Sequence, residues 1–219
     1  MGLALTNSVV VRFFIVGFLF LSHSLLGQDW ELRDEEDGIK VYTRPVSNSD
    51  IRAVKVETTI EATLSQLAAV ILDIPATGEW VYATKECRVE KTISPTEYVY
   101  YSELEVPWPV SNRDFIVRVK VDYDPATNTM TVSGENLPAY LEEKPGVVRV
   151  MQTVSTWTVV PEGKNLNIEF VLHVNPGGSI PAWLVNLFAT QGPKETFLNL
   201  RSHVKKTKYQ DASFPFIVD

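Results

Sequence analysis

Few side chains in this sequence are equipped for chemistry, and their spacing argues against catalysis. Cys87 is the single cysteine among 219 residues, so an internal disulfide and a multi-cysteine zinc site are both excluded. Its neighbours alternate as in a strand and no histidine motif stands near it, so it reads as a structural thiol. The three histidines, His23, His173 and His203, are scattered, and their spacing suggests no metal cluster. There is no glycine-rich phosphate loop, no Gly-x-Ser-x-Gly elbow and no His-Glu-x-x-His stretch. The acid pairs Glu35-Glu36 and Glu142-Glu143 fall in turn-like surroundings, where adjacent carboxylates are usually solvated. Arg113-Asp114 reads as a structural ion pair or loop anchor, because neighbours on a strand point to opposite faces. The chain is therefore expected to bind rather than turn over, with no cofactor and no metal.

Composition narrows the partners. Hydrophobic residues make up 45% and charged ones 21%, the balance of a globular chain. The net charge of −7 gives no general attraction for phosphate backbones, so no nucleic acid is expected. Residues 1–27 carry Arg12, an uncharged apolar run from Phe13 to Leu21, and small residues before a cut after Gly27. That is the pattern of a secretory signal peptide, with a retained N-terminal anchor as the alternative. The mature domain, residues 28–219, is then expected to be secreted or periplasmic, and a monomer.

The elements that must position any site follow from periodicity. Gly38 to Arg44 and Arg52 to Ile60 alternate as strands. Leu64, Leu67, Ala68, Ile71 and Leu72 share one helical face, with Thr63 as N-cap, and Pro75 and Gly78 end that helix. Strand signals then run over Cys87 to Ile93, Glu97 to Val106, Asp114 to Tyr123, Thr129 to Ser133, Val147 to Val160 and Leu166 to Val174. Short turns between them imply antiparallel pairing. Pro176 to Ser179 breaks the sheet, and a long C-terminal helix is expected from about Ile180 to Lys206, interrupted at Gly192-Pro193. Phe115, Val117, Val119 and Val121 share one strand parity, and Ile116, Arg118, Lys120 and Asp122 the other, so the first set faces inward.

Several stretches, in order, resemble one known family. Trp30-x-Leu32 with Gly38 to Arg44, Trp80 to Val89 with Tyr98 to Tyr101, and Val106-Pro-Trp-Pro-Val-Ser-Asn-Arg-Asp-Phe115 are similar to the StAR-related lipid-transfer (START) domain. So are Trp157-x-x-x-Pro161 and Asn175 to Leu184. The resemblance covers Trp30 to Lys206. It implies an α+β helix-grip fold, a curved antiparallel β-sheet wrapped around a long C-terminal α-helix. A tunnel for one lipid would run between them, closed by that helix and by the loop from Pro107 to Asn112.

The resemblance also implies site residues. Cholesterol-binding members bring an arginine into the cavity six residues after the Asn-Arg-Asp arginine. Here that position is Val119, which favours a neutral ligand such as a sterol. Phe115, Val117, Val119, Phe170 and Leu172 are the expected wall. Trp183, Leu184, Leu187 and Phe188 are the expected inner face of the lid. Glu103 and Arg149 are polar candidates, each with an equally acceptable place outside the cavity. Pro107, Trp108 and Pro109 form a stiffened loop that gates the tunnel or touches a membrane, or else packs beneath itself as an anchor. Two other readings remain open: a cyclase- or aromatase-like enzyme using Tyr100, Tyr101 or Glu103, and an interaction module with a filled core.

Overall fold

The structure, a computed structural model, describes residues 29–47, 49–178, 181, 184–185 and 187–219. Residues 1–27, where a signal peptide is expected, and Trp183 lie outside the described residues. The chain opens with three strands where the sequence suggested two: β1 (Glu31–Glu36), β2 (Ile39–Val46) and β3 (Ser49–Glu61). β1 escapes pattern reading because it is an edge strand exposed on both faces, so no apolar alternation marks it. Helix α1 (Leu64–Leu72) starts at the expected cap, with Thr63 Oγ1 accepting from Gln66 N (3.2 Å) and Gln66 Oε1 from Thr63 N (2.9 Å). This reciprocal box contributes about 1 kcal/mol. A 3-10 turn (Ile74–Glu79) follows.

The remaining strands are β4 (Thr84–Ser94), β5 (Glu97–Leu104), β6 (Asn112–Asp124), β7 (Thr129–Asn136), β8 (Val147–Arg149), β9 (Gln152–Glu162) and β10 (Asn165–Asn175). They join one sheet in the order β1-β2-β3-β10-β9-β7-β6-β5-β4. All neighbours along this path are antiparallel, as the short turns require. The expected strand from Val147 to Val160 is two strands. Its first part, β8, leaves the main path to pair in parallel with the start of β6.

At the C-terminal end a π-helical turn (Leu187–Gln191) runs into α2 (Gly192–His203), and a short α3 (Thr207–Gln210) follows. Pro193 lacks the N–H that would bond four residues back, and the wider turn before it accommodates that loss. The expected interruption is thus a local widening that passes directly into α2. α2 packs across β2 and β3. Lys194 ties it to Asp34 (2.9 Å) and Glu36 (2.6 Å) of β1, and Arg201 to Thr58 Oγ1 (2.6 Å) of β3. The core lies between this helix, α1 and the concave sheet. Phe197 meets Trp157 and Phe170 at centroid distances of 5.0 and 5.7 Å.

Candidate functional site

The two layers do not close on one another along their whole length. Between the sheet, the 3-10 turn and α2 lies a cavity of about 260 Å³. Its largest wall comes from β6, whose inward parity supplies Arg113, Phe115, Val117 and Val119. Strand register then builds the floor. Val119 faces Gly134, Gly134 faces Ser155, and Ser155 faces Leu172, and all four residues line the cavity. Two residue pairs further along β9 and β10, Trp157 and Phe170 close one end. Leu104, Arg113, Val150 and Pro176 form the other. A Cβ at Gly134 would meet Ser155 Oγ, so any larger residue there would force the serine to turn.

Most expected wall residues meet in this cavity: Phe115, Val117, Val119, Phe170, Leu172 and Phe188 all line it. Leu184 is buried but does not reach it, and Leu187 belongs to the π-helical turn. Gly192 and Pro193, read from sequence only as a helix interruption, are themselves part of the wall.

The two polar candidates go elsewhere. Glu103 is fully buried on the far side of β5 from the cavity. It accepts from Lys85 Nζ (2.9 Å), Lys144 Nζ (2.6 Å), Asn112 Nδ2 (2.7 Å) and Tyr101 Oη (3.2 Å). Burial pushes its carboxyl up, but the bonds from Lys144, Lys85 and Asn112 outweigh this and bring it down to about 2. Arg149 donates Nε to Asp114 Oδ1 (2.8 Å) and Nη2 to Asp114 Oδ2 (3.1 Å). It also donates to the carbonyls of Pro138, Leu141 and Glu142. Both residues take their alternative place outside the cavity for one reason. The segment between β7 and β8 folds over the outer face of β5 and β6, giving that face its own small core of Val99, Tyr101 and Ile116 against Leu137 and Leu141. Burial of these polar groups therefore did not mean that they faced inward.

Arg113 is the functional candidate that sequence reasoning set aside. Its parity with Phe115 was the available signal, masked by the adjacent Asp114. Arg113 is 2% exposed and lines the cavity, while Asp114 pairs with Arg149 across the strand. Arg113 donates Nη1 to Ser111 O and, weakly at 3.5 Å, Nη2 to Gly177 O. Its buried Nε has no partner, and it has no ion pair among the described residues. Burial alone pulls its pKa down. An unpaired buried charge costs several kcal/mol, a strain that packing elsewhere must offset.

At the mouth of the Pro107 to Asn112 loop, Trp108 is 91% exposed, so the packed-anchor alternative is excluded. The loop base is held by Val106 N donating to Asn112 Oδ1 (3.1 Å) and by Asn112 bonding Glu103. Cys87 is half-buried, and burial pushes its thiol up to about 11, so it stays protonated at neutral pH. Among the described residues no three His, Cys, Asp or Glu side chains converge as a metal site.

A bent antiparallel sheet, a C-terminal helix packed across it and a largely apolar hollow between them define a helix-grip fold. The chain belongs to the START domain family, whose model matches residues 25–210. A crystal structure of a STAR-related lipid transfer protein from Xanthomonas axonopodis superposes with a TM-score of 0.74 at 33% identity, covering 81% of this chain and 99% of that one. An uncharacterized protein of Pseudomonas aeruginosa is 32% identical over 182 residues, 83% of this chain and 89% of its own length. The phosphatidylcholine transfer protein of Rattus norvegicus is 33% identical over 174 residues, 77% of this chain and 80% of that protein.

Proposed function

We propose that this protein is an exported carrier that encloses one lipid in the cavity between sheet and helix and releases it at a membrane. The cavity carries the reading. A hollow of about 260 Å³ walled mainly by Val, Leu, Phe and Trp side chains favours an apolar guest, at about 25 cal/mol for each Å² of ligand surface buried. Names of relatives such as phosphatidylcholine transfer protein support the same class of ligand. The volume lies just below the roughly 300–1,000 Å³ of ordinary small-molecule pockets. Loading a whole lipid therefore entails an outward shift of the wall, and the π-helical turn before α2, a departure from regular α-helical bonding beside the cavity, is the segment placed to accommodate it. Trp108, rigidly held between two prolines and almost fully exposed, is the residue that meets the membrane. Export rests on the charge and hydropathy pattern of residues 1–27.

The ligand does not have to be neutral. That expectation rested on Val119 in place of a cavity arginine, and Arg113 of the same strand lines the cavity instead. A filled interaction module is disfavoured by the same hollow. An enzymatic reading loses its constellation, because of Tyr100, Tyr101 and Glu103 only Tyr100 lines the cavity. Burial raises the Tyr100 pKa, so its hydroxyl stays protonated.

The test is native mass spectrometry of the full chain purified from cells, followed by organic extraction. A reproducible lipid adduct at one per chain is the expected result. No adduct, together with no binding of fluorescent sterol or acyl-chain probes, would overturn the reading.

A further inference from the structure

Two buried polar atoms on cavity-lining residues have no hydrogen-bond partner among the described residues, Arg113 Nε and Trp80 Nε1. Both are donors. A guanidinium offers five N–H groups, and the carbonyls of Ser111 and Gly177 cannot satisfy them all. The two nearest buried carboxylates are engaged on the other face of the sheet, Asp114 by Arg149 and Glu103 by Lys85 and Lys144. Arg113 and Trp80 also lie far apart along the cavity. β6 runs from Arg113 to Val119 over six residues, roughly 20 Å at the usual strand rise, and Trp80 belongs with the aromatic end around Trp157 at 6.4 Å.

We propose that Arg113 is the anchor for an anionic oxygen group, carboxylate or phosphate, borne by the lipid that this cavity holds. The proposal rests on the carrier reading above and adds the polarity and orientation of the guest. The charged end sits between Arg113 and the Pro176–Gly177 corner, and the apolar body runs along Val117, Val119 and Leu172 toward Trp157. Nε and Nη of one guanidinium edge form the planar fork that suits two oxygens of one oxyanion. Bringing an anion there satisfies the orphaned donor and neutralises the buried charge together. Arg113 thus lowers the stability of the empty protein and raises its affinity for a charged guest, the usual trade at a binding site.

Matched probes that differ only in charge test this at pH 7.5 on the full chain: cis-parinaric acid against its methyl ester, and fluorescent phosphatidic acid against the corresponding diacylglycerol. The wild-type protein is expected to prefer the anionic member of at least one pair about tenfold or more. Arg113→Leu brings that ratio near one, and Arg113→Lys restores part of it. The melting temperature of ligand-free Arg113→Leu is expected to rise. A wild-type ratio near one in both pairs overturns the anchor without need of any variant. So does an Arg113→Leu protein that melts lower yet keeps the preference, because the arginine is then structural. Displacement of cis-parinaric acid by inorganic phosphate, with no preference within either pair, assigns the site to a free oxyanion and overturns the lipid-borne assignment. If no probe of either pair binds the wild type, the carrier reading falls as well.

Discussion

Arg113 and Asp114 are neighbours in sequence that face opposite sides of β6, one lining the cavity and the other locked to Arg149 on the outer face. One dipeptide thus serves two tasks. Asp114 fixes the covering segment through Arg149, and this bracing holds the strand that presents Arg113, Phe115, Val117 and Val119 to the interior. The alternation of strand side chains makes the division unavoidable.

The Asp114–Arg149 pair is expected to be a major stabiliser. Both side chains are essentially inaccessible, at 1% and 2%. Removing one partner strands the other, so Arg149→Met is expected to lower stability by about 3–5 kcal/mol. The backbone carbonyls of Pro138, Leu141 and Glu142 lose their donor as well. Urea denaturation at pH 7 measures this. A loss under 1 kcal/mol would show that water replaces these bonds.

Glu103 gives a definite acid sensitivity. Its folded carboxyl sits at about 2, below the ordinary value of about 4.3. A depressed carboxyl contributes stability that is complete above the unfolded pKa and disappears as pH falls from about 4.3 through about 2. Glu103→Gln should therefore lower the urea midpoint at pH 7, and the midpoints of the two proteins should converge toward pH 2. A constant gap across that window would assign the sensitivity to another group.

Val119 tests the cavity's apolar floor independently of Arg113. Val119→Arg places a second charge where register sets Gly134 and Ser155 opposite, with no carboxylate among the residues lining the cavity. Loss of bound lipid by at least about tenfold is expected, with the circular dichroism spectrum of the sheet retained. Unchanged lipid binding by a folded variant would mean that the guest lies elsewhere.

Trp108 separates delivery from holding. Because it is 91% exposed, Trp108→Ala is expected to change stability by no more than about 0.5 kcal/mol. The rate of lipid transfer between vesicles, followed by fluorescence dequenching, is expected to fall severalfold while equilibrium binding persists. Equal transfer rates would remove Trp108 from the membrane step.

The sequence by itself determined those features that depend on local pattern. The Thr63 cap, the alternation of β6, the turn punctuation and the order of family-like stretches were enough for a curved sheet gripping a C-terminal helix. They also placed Phe115, Val117, Val119, Phe170, Leu172 and Phe188, because strand parity and helix period assign faces without knowledge of partners. Tertiary structure decided what lies against each face. The fold-back of residues 137–149 buried the outer side of β5 and β6, so Glu103 and Arg149 found partners there. Asp114, on the outer face, was paired with a residue 35 positions away, and Arg113, on the inner face, met no carboxylate among the described residues. Pairing across such separations depends on how segments cross in space, and a one-dimensional pattern does not record it.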